Sequence, residues 1–182
     1  DKTLANAESA GAVVVNESQM GYGYACLKGI DYASNLGEEK RPDIVVFLDG
    51  DYSDYPEDIK ELIRPIIEDD IDMVIGSRTL GNAEKGALMP QQIFGKWLAI
   101  TLIKFIYSMK FTDLGPFRAI KFDKLLELNM VDKTYGWTVE MQVKAAKQKI
   151  RCTEVPVNYR KRIGVSKITG TVSGSFKAGY KI

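Results

Sequence analysis

Apolar and polar positions alternate along this chain in two rhythms, short β-branched runs and longer stretches with helical spacing, and they succeed one another from end to end. Lys2–Ala10 is expected as the end of a helix stopped by Gly11, and Ala12–Val15 as a short strand. Gly21-Tyr-Gly-Tyr-Ala25 opens a helix toward Leu36, with Ala25, Gly29, Tyr32 and Ala33 on its packing face. Asp43-Ile-Val-Val-Phe-Leu-Asp-Gly-Asp51 is the strongest apolar run. Bounded by Pro42 and Gly50, it is expected as a strand covered on both faces. Pro56 suits the first turn of a helix reaching Asp69, with Glu57 and Asp58 at its positive end. Asp72–Gly76 is expected as another strand.

The second half is less regular. Thr79–Gln91 is expected as a long loop of the kind that carries function, and Gln92–Met109 as an amphipathic or buried helix. Phe117–Phe122 should form a strand and Asp123 should cap a short helix. Tyr135-Gly-Trp137 leads into a helix through Lys149. Cys152–Tyr159 is expected as a final strand whose Pro156 suits a sheet edge. A basic loop and a terminal helix punctuated by Gly and Ser close the chain. Alternation of this kind predicts an α/β domain with a three-layer, mostly parallel sheet.

Composition narrows the chemistry. The 182 residues suffice for one domain, 1–182, and carry a net charge of +1, which gives no reason to expect nucleic acid as a partner. The apolar stretch from Trp97 to Met109 is broken by Lys104 and too short to span a bilayer, so it is expected as a core helix or one lying on a membrane surface. With no histidine, Ser-His-Asp and Cys-His nucleophile systems and His-ligated zinc are excluded. Cys26 and Cys152 are too far apart in sequence to suggest a thiolate cluster and are expected as small core hydrophobes. Any metal is then a hard, oxygen-preferring ion such as Mg²⁺ or Mn²⁺.

The strand run ends in Asp49 and Asp51, side chains two apart that can converge on one side. Two such charges about 5 Å apart repel by a few kcal/mol at an effective dielectric near 20, so a site that keeps both ionised wants a cation. Gly50 leaves room for a close-approaching ligand. The crevice at the carboxyl ends of the strands is where a metal-bound diphosphate would sit. A phosphatase of the haloacid dehalogenase class would place its glycine after the second acid, followed by Thr; the order here differs. Arg78, ending the next strand run, suits forking onto a phosphate or pairing with a nearby Asp. Asp113 and Arg118 flank a Gly-Pro turn that reads as an acceptor-side element or as a capped turn. Trp137 suits stacking on a sugar or base, or a buried anchor; Glu140 lies beside it. Arg160, Arg162, Ser166 and Lys167 form a basic cluster suited to clamping phosphates, with a solvated charge run or a membrane-surface patch as the other readings.

Taken in order, the motifs resemble those of family 2 inverting glycosyltransferases of the GT-A fold, nearest to dolichol-phosphate mannose and polyprenyl-phosphate sugar synthases. They are Gly21-Tyr-Gly-Tyr-Ala25, Phe47-Leu-Asp-Gly-Asp-Tyr-Ser-Asp54, Pro56-Glu-Asp58, Gly76-Ser-Arg78, Thr112-Asp-Leu-Gly-Pro-Phe-Arg118, Gly136-Trp-Thr-Val-Glu-Met-Gln142 and Arg162-Ile-Gly-Val-Ser-Lys167. The resemblance implies that Asp49 and Asp51 form the metal-and-diphosphate motif, that Arg78 lies near the donor, and that Arg160, Arg162 and Lys167 belong to a loop closing over phosphates. It implies an N-terminally incomplete domain. The family's Pro-x-Tyr-Asn-Glu strand would precede Asp1, and Asp1-Lys2-Thr3 matches the close of its Asp-Asp-x-Ser-x-Asp-x-Thr segment.

Many members also carry a Glu-Asp pair, the Asp serving as base, where this chain has Trp137-Thr138. That tilts the expectation toward an acceptor that is already an anion, with Glu140 or Asp113 as the base otherwise.

The expected function is metal-dependent, inverting sugar transfer from a nucleotide-diphosphate donor to a polyprenyl phosphate or other phosphate-bearing acceptor. Residues 1–78 would form the donor and metal half, and 79–182 the acceptor half with the basic loop. A cytoplasmic placement follows, on the inner face of the membrane where the acceptor is a lipid, with a homodimer left open. The rival readings are a non-catalytic nucleotide-sugar-binding module, a transferase using a soluble hydroxyl acceptor, and a sugar-nucleotide pyrophosphorylase.

Overall fold

The computed structural model describes residues 2–88 and 90–164. Ser166, Lys167 and the expected terminal helix lie outside the described residues. The elements in order are α1 (Thr3–Ser9), α2 (Tyr22–Ser34), β1 (Ile44–Phe47), α3 (Ile59–Glu68), β2 (Met73–Ser77), α4 (Pro90–Tyr107), β3 (Arg118–Lys121), α5 (Phe122–Glu127), α6 (Trp137–Gln148) and β4 (Cys152–Pro156). Two 3₁₀ turns are present among the described residues, Glu38–Lys40 before β1 and Pro56–Asp58 leading into α3.

The four strands form one sheet in the order β1-β3-β2-β4. β3 runs antiparallel to both neighbours while β2 and β4 are parallel, so β1, β2 and β4 share one direction. The α/β architecture is as expected, but the sheet is mixed rather than mostly parallel, because β3 enters it antiparallel to both of its neighbours. Pro156 falls at the last residue of β4, on a sheet edge, where its missing N–H removes nothing from the ladder.

Side chains alternate across the sheet, as a period of two requires. Met73, Ile75 and Ile120 face a core shared with Phe122, Leu125, Trp137, Met141 and Ala145. Val74 and Ala119 face the other way, onto Leu62 and Ile66 of α3 and Phe117. Helices therefore cover both faces, giving three layers.

Several expected elements differ. Ala12–Val15 forms no strand: no described strand lies alongside to take its hydrogen bonds, and Val13 is 69% exposed. β1 is shorter than the apolar run and only half-buried. Val45 and Phe47 meet one core, Ile44 and Val46 the other, but its outer edge pairs with no described strand. On α2 the packing residues are Tyr22, Cys26, Leu27, Ile30 and Ala33 rather than Ala25, Gly29 and Tyr32; Ala25 and Gly29 line an apolar groove along β1. Asp123 does not cap α5 by its side chain and instead accepts the Lys124 N–H at 2.8 Å. Helix α4 is neither core nor wholly exposed. Ala99 and Ile103 are buried, while Ile93, Phe94, Trp97, Leu102, Phe105 and Ile106 face outward.

Candidate active site

Four segments meet at one end of the sheet. β1, β2 and β4 point their carboxyl ends there, and antiparallel β3 begins there. Asp49 and Asp51 follow β1, Arg78 follows β2, residues 157–164 follow β4, and Asp113–Arg118 lead into β3. This is the crevice in which open α/β sheets bind ligands.

The loop after β1 is built on a third carboxylate. The Asp49 N–H donates to Asp54 Oδ2 at 3.3 Å, and Asp54 Oδ1 is buried with no hydrogen-bond partner. Asp51 Oδ1 accepts the Ser53 N–H at 3.0 Å and the Ser53 hydroxyl at 2.5 Å. Asp51 Oδ2 meets Arg162 Nη2 at 2.6 Å. The strained residue of this loop is Tyr52, at φ 73°, rather than Gly50, whose missing Cβ would meet only open space.

Negative charge is in excess here. Burial first, then the Asp51 charge, pushes the Asp49 carboxyl up, against the pull of Arg162 and Arg78. Burial likewise pushes Asp54 up to about 6, partly offset by the Asp49 amide. Burial and the Asp49 charge keep the Tyr22 hydroxyl protonated. Crowded carboxylates with an orphaned buried oxygen fit a hard cation. Among the described residues no three acidic or thiol groups converge to enclose a metal. Mg²⁺ is commonly held by one or two carboxylates with substrate phosphates completing its shell, and Asp49 and Asp51 are the carboxylates that would serve.

Arg78 pairs with Asp113, through Nε to Oδ2 and Nη2 to Oδ1, each at 2.8 Å, and its own N–H reaches Oδ2 at 2.9 Å. Its guanidinium lies 4.9 Å from the Tyr159 ring centroid. Burial opposes the charge of both partners, but the pair prevails: Asp113 is held below the usual carboxylate range and Arg78 above its ordinary value. Lys96 of α4 adds a second cation, 3.9 Å from Asp113 Oδ1 and 2.7 Å from Thr79 Oγ1. Glu154 holds the turn, accepting the Thr112 N–H with both oxygens at 2.9 and 2.8 Å and the Asp113 N–H at 3.1 Å.

Three other expected site residues serve the scaffold. Arg118 is wholly buried and donates to the carbonyls of Gly115 and Thr138 and to Gln142 Oε1, so it shapes the Gly-Pro turn and has no access to a phosphate. Trp137 is 1% exposed against Phe47, at 6.1 Å between centroids, closed to any sugar or base. Glu140 accepts the N–H groups of Val131 and Asp132 and pairs with Lys144 at 2.7 Å, which removes it as a free base. Cys26 and Cys152 are partly buried free thiols, each pushed up to about 12 by burial.

The long loop and the basic segment are laced together. Tyr159 donates to the Asn82 carbonyl and accepts from the Glu84 N–H, while the Lys161 N–H reaches Glu84 Oε2. Gly81 permits this, because a Cβ there would collide with the Val157 backbone. Arg160 lies over the rings of Tyr52 and Tyr55, at 3.2 and 4.3 Å. Of the basic cluster, Arg162 alone among the described residues reaches the aspartates.

Asp54, Tyr22, Lys96 and Glu154 escaped the sequence reading. Asp54 closes the Phe47–Asp54 motif, and Lys96 is the one charge in the first half of α4.

Residues 1–128 match the glycosyl transferase family 2 profile, and the chain belongs to that family. It is 30% identical over 163 residues to the glycosyltransferase AglJ of Haloferax volcanii, covering 89% of this chain and 51% of that protein. It is 28% identical over 143 residues to an undecaprenyl-phosphate mannosyltransferase of Micrococcus luteus, covering 76% and 58%. Glucosyl-3-phosphoglycerate synthase of Mycobacterium tuberculosis, solved in complex with Mn²⁺ and uridine-diphosphate-glucose, shares the fold. Its TM-score is 0.66 at 18% identity, covering 99% of this chain and 61% of that one. The chain thus has the GT-A fold, and it spans about half the length of the archaeal relative.

Proposed function

We propose that this chain is the catalytic part of a metal-dependent, inverting glycosyltransferase that moves a sugar from a nucleoside-diphosphate donor to a lipid phosphate. The carrying observation is the convergence of Asp49, Asp51 and Arg162 at the carboxyl end of the sheet, with the Arg78–Asp113 pair across from them. Asp49 and Asp51 would hold Mg²⁺ or Mn²⁺, which when bound offsets the charge of the donor diphosphate. Arg162 supplies a cation to the leaving diphosphate, and the pre-formed pairing of Arg78 keeps a guanidinium in place with little reorganisation. The acceptor attacks the anomeric carbon from the face opposite the leaving group, which inverts its configuration. Residues 1–78 form the donor half; the remainder forms the acceptor half.

A phosphate acceptor is favoured over a hydroxyl because Glu140 and Asp113, the candidate bases, are both held in ion pairs. A phosphate already carries the nucleophilic charge. The similarity to the undecaprenyl-phosphate mannosyltransferase of Micrococcus luteus supports the same acceptor class. No helix among the described residues is long and apolar enough to cross a membrane. The outward face of α4 suits a peripheral position at the bilayer surface. Residues 85–112 contain no acid, and with Lys96 turned to Asp113, Lys85, Lys104 and Lys110 are left to complement anionic lipid.

The test is transfer of radiolabelled sugar from UDP- and GDP-sugars to a short polyprenyl phosphate with Mn²⁺. Extraction of label into the lipid phase supports the proposal. Label passing to polyprenol but not to its phosphate contradicts the acceptor assignment.

A further inference from the structure

Asp51 has a cation already, and it is part of the chain. Arg162 Nη2 sits 2.6 Å from Asp51 Oδ2 and, with Arg78, offsets the charge of Asp49 as well. The backbone is drawn to the same place. The Ile163 N–H donates to the Asp51 carbonyl at 2.9 Å, and the Arg160 N–H to the Ser53 carbonyl at 3.0 Å. The Arg160 guanidinium is clasped over Tyr52, the residue at φ 73°, and over Tyr55. Residues 160–163 therefore lie along the aspartate loop, with one guanidinium in direct contact with a proposed metal ligand.

We infer that Arg162 is a tethered counter-cation that competes with the metal for Asp51, making residues 160–163 a latch that a divalent ion releases. The inference rests on the metal reading above and concerns what the metal displaces. One carboxylate oxygen cannot serve a guanidinium at 2.6 Å and a bound divalent ion together without placing two cations against each other. Metal binding and latch closure are therefore linked with negative sign, and the linkage is reciprocal. The displaced guanidinium becomes available to the donor phosphates, so the same side chain guards the empty site and serves the filled one.

Arg162→Gln removes the competitor and Arg162→Lys keeps a cation, and Mn²⁺ alone is the probe, followed by the loss of its free-ion paramagnetic resonance signal. Mn²⁺ should bind Arg162→Gln about five-fold more tightly than the parent, the scale of a part-exposed ion pair, and Arg162→Lys less tightly than Arg162→Gln. In the unmodified protein, hydrogen exchange at the Ile163 and Arg160 amides should accelerate when Mn²⁺ is added; this readout needs no variant to fold. Equal or weaker Mn²⁺ binding by Arg162→Gln, or amides slowed or unchanged by Mn²⁺, overturns the latch. Absence of Mn²⁺ binding in parent and variant alike would instead overturn the metal reading.

Discussion

Arg78 and Asp113, 35 residues apart in sequence, close on each other through two parallel N–H···O bonds of 2.8 Å, with Asp113 wholly buried. The pair ties the end of β2 to the turn before β3. Lys96 and the Thr112 and Asp113 amides, the latter gripped by Glu154, complete its surroundings. Breaking one partner of such a pair leaves the other buried and uncompensated. Asp113→Asn should cost about 3–5 kcal/mol in urea unfolding, and Arg78→Met with Asp113→Leu together less than the sum of the single losses. Additive losses would mean that the pair is not coupled.

A pH dependence follows from Asp54. Burial pushes its carboxyl up to about 6, above the ~3.9 of an unfolded chain. Below pH ~4 the group is protonated in both states and costs nothing. As pH rises from about 4 to 6, the folded chain must release a proton that it holds more tightly than the unfolded chain does, and stability falls by on the order of 2–3 kcal/mol. Asp54→Asn keeps an acceptor for the Asp49 amide. In chelator it should be more stable than the parent at pH 7.5 and equal to it near pH 4. An advantage that does not change with pH would contradict the assignment.

Much of this was legible in the sequence, and the failures are instructive. The run ending at Asp49 and Asp51, the Gly-Ser-Arg78 terminus and the edge Pro156 are local signals, and the fold kept them. Trp137, Arg118 and Glu140 each had two roles open in the sequence, because residue type names a capability and burial decides its use. The indole closed against Phe47, and the guanidinium and carboxylate were spent on backbone groups. Lys96 was invisible because only the crossing of α4 makes it a neighbour of the site, and Asp54 because residue type does not separate a buried loop carboxylate from a solvated one. Ala12–Val15 looked like a strand by composition, but a strand needs a neighbour that composition does not supply.

Glu140 provides a discriminating variant. As a helix-packing residue rather than a base, Glu140→Gln should lower the unfolding midpoint by weakening its hold on the Val131 and Asp132 amides. Its transfer rate at saturating substrate should stay within about three-fold of the parent, far short of the 10²–10⁴-fold typical of a lost general base. Loss of the acidic limb of the rate profile would restore it as the base.

The exposed face of α4 makes a separate prediction. Phe105 is 88% exposed and Trp97 is 56% exposed, so Phe105→Glu with Trp97→Glu should leave stability nearly unchanged. The same substitutions should abolish co-sedimentation with vesicles containing anionic lipid. Retained sedimentation would remove α4 as the membrane-facing element.

The most direct measurement of the central claim is calorimetric titration of the parent and Asp51→Asn with UDP- and GDP-sugars, each with and without Mn²⁺. The account predicts that one donor binds the parent only when Mn²⁺ is present, and that Asp51→Asn loses this metal-dependent binding while unfolding at a temperature close to the parent's. Donor binding that is indifferent to Mn²⁺, or that survives Asp51→Asn unchanged, would contradict it.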